Sequence, residues 1–172
     1  MEQFDLYDKD RNKIGRTLPR GQAYPEGTYH LAVEICVFNS QGKVLIQQRQ
    51  TFKEGYPGLW TLSAGGSAVA GELSWQAAQR ELREELGIEV DFSALRPHIT
   101  EHFDEGFNDI YIITKDVELA DLRLQPEEVK DARWATREEI LHMIETGEFL
   151  PYRPALIPLL FDLQNGFGFH TA

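Results

Sequence analysis

Three glutamates stand at helical spacing near the middle of the chain. Glu81, Glu84 and Glu85 occupy positions i, i+3 and i+4, so in a helix their carboxylates share one face. The two at i and i+4 repel each other, and all three lie in the last two turns, where the helix dipole disfavours negative charge. The spacing alone fits either a solvated acidic face or a set of hard oxygen ligands for Mg²⁺.

The residues before and after these glutamates form a longer pattern that decides between the two readings. The segment GSAVAGELSWQAAQRELREELGI has seven fixed residue types at fixed spacing, namely Gly66, Glu72, Arg80, Glu81, Glu84, Glu85 and Gly87. A given window would match these by chance about once in 10⁸. This is the signature of the Nudix family, which the chain therefore resembles.

The resemblance implies a fold, a metal site and its supporting residues. Nudix proteins are α/β/α sandwiches with a mixed central sheet, and they bind Mg²⁺, or Mn²⁺ in its place, on this helix. The implied ligands here are Glu81, Glu84 and Glu85, with the carbonyl oxygen of Gly65 as a frequent further ligand. Glu72 and Arg80 would form a supporting ion pair that orients Arg80 away from the metal.

Within the family, the segment HLAVEICVFNSQGKVLIQQRQTFKEGYPGLWTLS resembles the branch that includes type I isopentenyl-diphosphate isomerase. That isomerase uses a cysteine where this chain has Gly65. It also uses a histidine cluster of which only His30 is matched, since Ala23 and Ser67 occupy the other two positions. The chain therefore lacks the protonating thiol and most of the isomerase metal site. We expect His30 to be a structural histidine at a strand edge, and we expect hydrolysis.

Two further groups of residues would complete a hydrolytic site. Arg49 and Lys53 match isomerase positions that contact the substrate diphosphate, and such a pair could hold a polyanion. Nudix enzymes often take another carboxylate from a downstream loop as general base, for which we favour Glu105. The other acidic residues that could serve are Glu101, Asp104, Asp109, Glu127 and Glu128.

These residues predict a Nudix-type hydrolase that cleaves a diphosphate linkage in a nucleoside diphosphate derivative or a related small molecule, with Glu84, Glu85 and Glu105 as catalytic groups. Two alternatives remain open. One is an isopentenyl-diphosphate isomerase-like enzyme, and the other is a non-catalytic Nudix domain that binds a diphosphate ligand. The resemblance also leaves open whether two copies pair into a homodimer.

The elements that must position these residues follow from periodicity and turn signals. Ser74 is expected to cap a helix over residues 75–86 that ends at Gly87. Residues 136–144 and 154–163 are expected to form two further helices. Strands are predicted around a turn at 10–12, in a hairpin around 39–42, and over 60–63, 88–92, 99–103, 110–117 and 131–135.

The composition bounds the class of protein. The 172 residues, 42% of them hydrophobic, fit a single Nudix domain over residues 1–172. The formal net charge of −11 disfavours nucleic-acid polymers and anionic membranes as partners. Neither a signal peptide nor a membrane span is evident, so a cytoplasmic location is expected. The single cysteine, Cys36, lies in an apolar run and is expected to be a buried core residue.

Overall fold

A computed structural model describes residues 1–168 and 170. The strands are β1 (Gln3–Tyr7), β2 (Lys13–Pro19), β3 (His30–Phe38), β4 (Val44–Arg49), β5 (Trp60–Thr61), β6 (Ala64–Ser67), β7 (Ile99–Phe103), β8 (Gly106–Thr114) and β9 (Val129–Ala135). The helices are α1 (Ser74–Leu86), α2 (Arg137–Thr146) and α3 (Leu156–Leu163), with a short 3₁₀ turn at Leu119–Asp121. None of the helices in this part of the chain is long and apolar enough to cross a membrane.

Seven strands form a mixed sheet in the order β7, β8, β3, β4, with β5, β6 and β9 joined to it. Strand β3 runs parallel to β8 along its whole length but pairs with β4 only at Phe38 and Val44. Where β3 and β4 diverge, β6 pairs with β3 and β5 pairs with β4. The Ser63 hydroxyl donates to the Leu45 carbonyl (2.6 Å) and accepts from the Val37 amide (2.8 Å), which joins the two diverging strands.

The two faces of the sheet carry separate cores. Along β3, Leu31, Val33, Ile35 and Val37 pack in the core that contains the apolar face of α1. The intervening Cys36 and Phe38 pack with α2 and α3. This alternation is what a strand buried on both faces requires, and it confirms the sandwich with a mixed sheet. The fully buried Cys36 thiol has its pKa raised by burial.

The N-terminal strands form a hairpin that is tied to the loop before α1. The backbone amide of Ala70 donates to the Gln3 carbonyl (2.7 Å), and the amide of Gly71 donates to the Asp5 carboxylate (2.8 Å). Asp5 also pairs with Lys13 across the hairpin (2.6 Å). The chain's first strand therefore supports the segment that leads into the glutamate helix.

Most predicted elements are confirmed, including both hairpins, the glutamate helix and the two C-terminal helices, with shifted ends. Two predictions are wrong. Leu73, not Ser74, is the N-cap of α1, because the helix begins one residue earlier and the Ser74 hydroxyl pairs with that of Tyr111 (2.9 Å). Residues 88–92 form no strand; their alternating Ile88 and Phe92 anchor an irregular segment in the α1 core.

Candidate functional site

Helix α1 brings Glu81 and Glu85 against β6, which contains two glycines. A Cβ atom added at Gly66 would collide with the Glu81 carboxylate, and one at Gly65 would lie 2.8 Å from the Val33 carbonyl oxygen. Glu81 and Glu85 are nevertheless buried, at 9% and 7% exposure. Gly66 therefore lets a helix carrying carboxylates lie close to the sheet, whereas Gly65 leaves room for the neighbouring strand β3.

Glu85 is buried with neutral partners only. Its Oε2 atom accepts from the side-chain amide of Gln47 (2.8 Å) and from the backbone amide of Gly65 (3.2 Å). Burial, reinforced by the negative charge of Glu81, raises the pKa of Glu85 to about 8. A carboxyl group held in this way favours a proton or a cation as a further partner.

Arg80 links the remaining carboxylates. Its Nε and Nη2 atoms donate to the two oxygens of Glu72 (2.8 and 3.0 Å), as the predicted supporting pair requires. Its Nη1 atom also donates to Glu81 (2.8 Å) and to Glu84 (3.1 Å). The hydrogen bonds to Glu72 hold the pKa of Arg80 well above its usual value. Arg80 thus contacts two of the helix glutamates as well as Glu72.

This arrangement bears on the predicted metal ligands. Within residues 1–168 and 170, no three Asp, Glu, His or Cys side chains converge as a metal-binding group, since Arg80 holds two of the glutamates and Glu85 turns to Gln47. The donor set nonetheless fits a hard divalent cation: three carboxylates lie within two turns of one helix, and the buried Glu85 has no cationic partner.

A cavity of about 380 Å³ lies beside the glycine pair. It is lined from several strands: Glu34 on β3, Gly65 and Gly66 on β6, Arg49 at the end of β4, Glu101 and Phe103 on β7, Asn108 on β8, and Leu150 and Tyr152 before α3. Its volume is in the range of small-molecule sites. The cavity therefore joins the neighbourhood of the glutamate helix to the α2 and α3 side of the sheet.

A chain of hydrogen bonds crosses this cavity. The Tyr152 hydroxyl donates to Oε1 of Glu34 (2.6 Å), and it lies 3.1 Å from the Thr61 hydroxyl. Because the single proton of Tyr152 goes to Glu34, Thr61 must donate to Tyr152. Burial raises the pKa of Glu34 to about 7, although bonds from Tyr152 and Asn108 partly offset it. Glu34 as a residue is partly buried and lines the cavity.

The two predicted phosphate-binding cations are placed differently. Arg49 lines the cavity, and its Nε atom donates to the Gly55 carbonyl (3.2 Å). Lys53 does not line the cavity; its ammonium group pairs with the Glu128 carboxylate (2.5 Å). The negative charge of Glu128 in turn contributes to the raised pKa of Glu85, after burial and Glu81.

The candidate general bases are also separated by the structure. Glu105 does not line the cavity; its backbone carbonyl accepts from the amide and the ring Nδ1 of His30 (both 2.9 Å). Asp109 is buried and ion-paired with Arg11. Glu101 lines the cavity, and Glu128 is the candidate whose charge acts on Glu85.

His30 has the surroundings of a structural histidine, as expected. It is 8% exposed and stacks on Tyr24 with ring centroids 4.7 Å apart. Phe4 and Phe103 complete an aromatic group around it. Burial lowers the pKa of His30, which keeps the ring neutral among its apolar neighbours.

Sequence reasoning missed Glu34, Tyr152 and Gln47. One signal was available for the first: Glu34 is a charged residue inside the otherwise apolar run HLAVEICVF. A buried strand rarely carries a carboxylate without a purpose. Tyr152 and Gln47 gave no such signal, because their partners lie on distant parts of the chain.

Comparison with known proteins supports the fold and the motif. Residues 28–155 match the family model described as NUDIX domain. The chain is similar to an uncharacterized Nudix hydrolase, lmo0368, of Listeria monocytogenes, with 49% identity over 170 residues and 99% of both chains covered. It is more distantly similar to an isopentenyl-diphosphate Delta-isomerase of Clavibacter michiganensis, with 29% identity over 91% of this chain and 84% of the other.

A solved structure gives the same result. The crystal structure of DR0079 from Deinococcus radiodurans is similar with a TM-score of 0.74 and 26% identity, covering 92% of this chain and 97% of the other. The similarity therefore extends beyond the matched residues 28–155 to nearly the whole chain.

Proposed function

The chain belongs to the Nudix family and is a Nudix hydrolase, and from this premise we propose that it cleaves a diphosphate linkage in a nucleoside diphosphate or a related small molecule with the help of Mg²⁺. The observation that carries the proposal is Glu85, a buried carboxyl without a cationic partner beside Glu81. Such a site is unfavourable as structure alone, and it suits a helix that binds a cation.

Glu81, Glu84 and Glu85, with the Gly65 carbonyl oxygen, would hold the cation, and Mn²⁺ would fit the same ligands. A bound divalent cation supplies positive charge to the diphosphate oxygens and makes water more acidic. Glu72 supports the site indirectly, because its bidentate pair with Arg80 fixes the guanidinium that contacts Glu81 and Glu84.

The remaining groups would position the substrate and the attacking water. Arg49 faces the cavity and would bind the phosphates as a fork. Lys53 would add a second positive charge once its pair with Glu128 opens. As general base we favour Glu128, whose charge acts on Glu85, and then Glu101 on the cavity wall, ahead of Glu105.

The absence of a cavity thiol argues against isomerisation as the activity. The only cysteine, Cys36, is fully buried in the core that contains α2 and α3. The intact glutamate set argues in turn against a domain that merely binds diphosphates. Hydrolysis therefore remains the activity that these residues support best.

The test is hydrolysis by the purified protein, with Mg²⁺ or Mn²⁺, of a panel of nucleoside diphosphates, sugar nucleotides, dinucleotides and isopentenyl diphosphate. Turnover of a nucleotide class is expected, and Glu84→Gln should lower kcat/KM about 100-fold. Glu84 is largely exposed, so this variant should fold. Glu89→Gln, just beyond the helix, is the matched control and should be unchanged. Equal rates in the Glu84 variant would refute the assigned metal site.

A further inference from the structure

The strand order divides the cavity by charge. Acidic side chains come from one side, with Glu34 on β3 and Glu101 on β7, whereas Arg49 comes from the end of β4 on the other. Gly65 and Gly66 on β6 lie between β3 and β4. With strands about 4.8 Å apart, the distance from β6 across β3 and β8 to β7 is roughly 14 Å. The acidic and basic walls are therefore contributed by different strands of the same sheet.

The acidic side would repel phosphate, so it must receive a different part of the substrate. Glu101 adds to the negative potential at Glu34, and none of the ion pairs in the described part of the chain involves Glu34. A diphosphate would be drawn to Arg49 and to cations held by α1. The organic part of the substrate is then left facing Glu34.

The hydrogen-bond chain makes Glu34 an acceptor. Thr61 donates to Tyr152, and Tyr152 donates to Oε1 of Glu34, so the chain ends on the carboxyl group. A carboxylate has about four acceptor sites, and Tyr152 and Asn108 use two of them. A ligand group that binds a remaining acceptor site of Glu34 from the cavity must bring an N–H or O–H donor.

The walls beside Glu34 suit a flat ring. Phe103 is 36% exposed and lines the cavity together with Leu150. Aromatic and aliphatic walls with one fixed polar group are typical of sites that bind a heterocycle. An isoprenoid chain would match the apolar walls but would bring no donor to the remaining acceptor sites of Glu34.

We propose that Glu34 recognises the amino group of a nucleobase, so that the substrate is a diphosphate compound of an amino-bearing nucleoside, with its base between Phe103 and Leu150 and its phosphates near Arg49. This inference rests on the proposed function and specifies its substrate class. Glu34 acts as a specificity residue, and Tyr152 and Thr61 fix the position of its carboxyl group.

The experiment compares substrates that differ in one group. CDP and UDP exchange an amino group for an oxygen on the same ring, as do ADP and IDP. In whichever of these two pairs is hydrolysed faster, the wild-type enzyme should favour the amino-bearing nucleotide by about 10-fold to 100-fold in kcat/KM. Glu34→Gln should remove or reverse that preference, because the glutamine amide can donate to the oxo oxygen. Glu145→Gln, on the exposed face of α2, is the matched control.

A preference that is absent in the wild type, or unchanged in Glu34→Gln, would overturn the proposal, as would equal hydrolysis of isopentenyl diphosphate. A purely structural role of Glu34 would change stability and overall rate but not the ratio within a pair. Binding of CMP and UMP by calorimetry tests base recognition without turnover. Tighter binding of CMP with no hydrolysis of any diphosphate would refute the proposed function and the substrate class, and would leave only the recognition of the base by Glu34.

Discussion

Two buried carboxylates, those of Asp109 and Glu85, differ in the charge of the groups that contact them. Asp109 on β8 is 1% exposed; both of its oxygens contact the Arg11 guanidinium, and Oδ1 also accepts from the Thr100 hydroxyl (2.7 Å). Glu85 on α1 is 7% exposed and receives only the amide groups of Gln47 and Gly65. One charge is neutralised within the protein, whereas the other is left available.

The difference separates structural charge from functional charge. A buried carboxylate that only holds the fold is expected to carry its own counter-ion, as Asp109 does with Arg11. One that lacks a counter-ion lowers stability unless a ligand completes it. Substitutions at the two sites should therefore act on different properties, stability at Asp109 and activity at Glu85.

The largest expected effect is on catalysis at Glu85. Glu85→Gln keeps the shape but removes the charge that the cation requires, so kcat/KM should fall about 1000-fold. The metal-free variant should be at least as stable as the wild type, because it no longer has a buried acid without a counter-ion. Steady-state kinetics measure kcat/KM, and thermal unfolding in EDTA measures the stability of the metal-free protein. Loss of folding together with activity would contradict the contrast with Asp109.

The second effect is on stability at the Arg11–Asp109 pair. Arg11→Ala leaves Asp109 buried and unpaired, which should cost about 3 kcal/mol of unfolding free energy. Activity per folded molecule should stay near wild type. Denaturant titration of this variant can be compared with Lys9→Ala, which removes an exposed pair and should cost less than about 1 kcal/mol. A selective loss of activity in Arg11→Ala would show that the pair serves the active site.

The third effect is a pH dependence specific to the metal-free protein. The pKa of Glu85 is about 8 in the folded state, well above that of an unfolded glutamate, so the folded state binds more protons. The contribution of Glu85 to stability in EDTA should thus be full below the unfolded pKa of 4.5 and be lost as the pH rises through about 8. Glu34, with a pKa of about 7, acts in the same direction. With rising pH, the denaturation midpoint should fall less steeply in Glu85→Gln, and in the wild type with Mg²⁺, than in the metal-free wild type. Identical slopes against pH would contradict this prediction.

The smallest expected effect is at the N-terminal hairpin, where Asp5 is exposed enough to serve as a weaker counterpart of the two buried carboxylates. Asp5→Asn weakens the ion pair of Asp5 with Lys13 and the hydrogen bond that the Asp5 carboxylate accepts from the Gly71 amide. Stability should fall by at most about 1 kcal/mol. Because the held loop leads into α1, kcat/KM should also fall a few fold. Asp10→Asn, which weakens an exposed pair elsewhere on the hairpin, is the control and should leave both quantities unchanged.

Local patterns were sufficient for the elements that carry the site. Helical periodicity of the apolar residues and the stop at Gly87 predicted α1, because such periodicity and an αL terminus are encoded within a few residues. The pair of Glu72 with Arg80 was available from the family resemblance and is present. Likewise, the two hairpins followed from turn residues between alternating runs.

Long-range pairing was not available from one sequence. Arg11 reaches Asp109, and Tyr152 reaches Glu34, across stretches of chain that carry no local signal of the contact. The same limit explains residues 88–92, whose alternation resembles a strand although no neighbouring strand pairs with them. Which face a carboxylate occupies, and hence whether it serves structure or chemistry, was decided by tertiary packing.

The parallel pairing of β3 with β8 has a consequence for how the protein folds. His30 meets Gly106 only after the intervening chain, which contains β4, β5, β6 and α1, has closed into one loop. Closing so long a loop is entropically unfavourable and is associated with slow folding. The hydrogen bonds of the glutamate helix are local, but its position against Gly66 requires β6 to pair with β3. We therefore expect the active site to form late in folding. It should form together with the central sheet and not together with the glutamate helix.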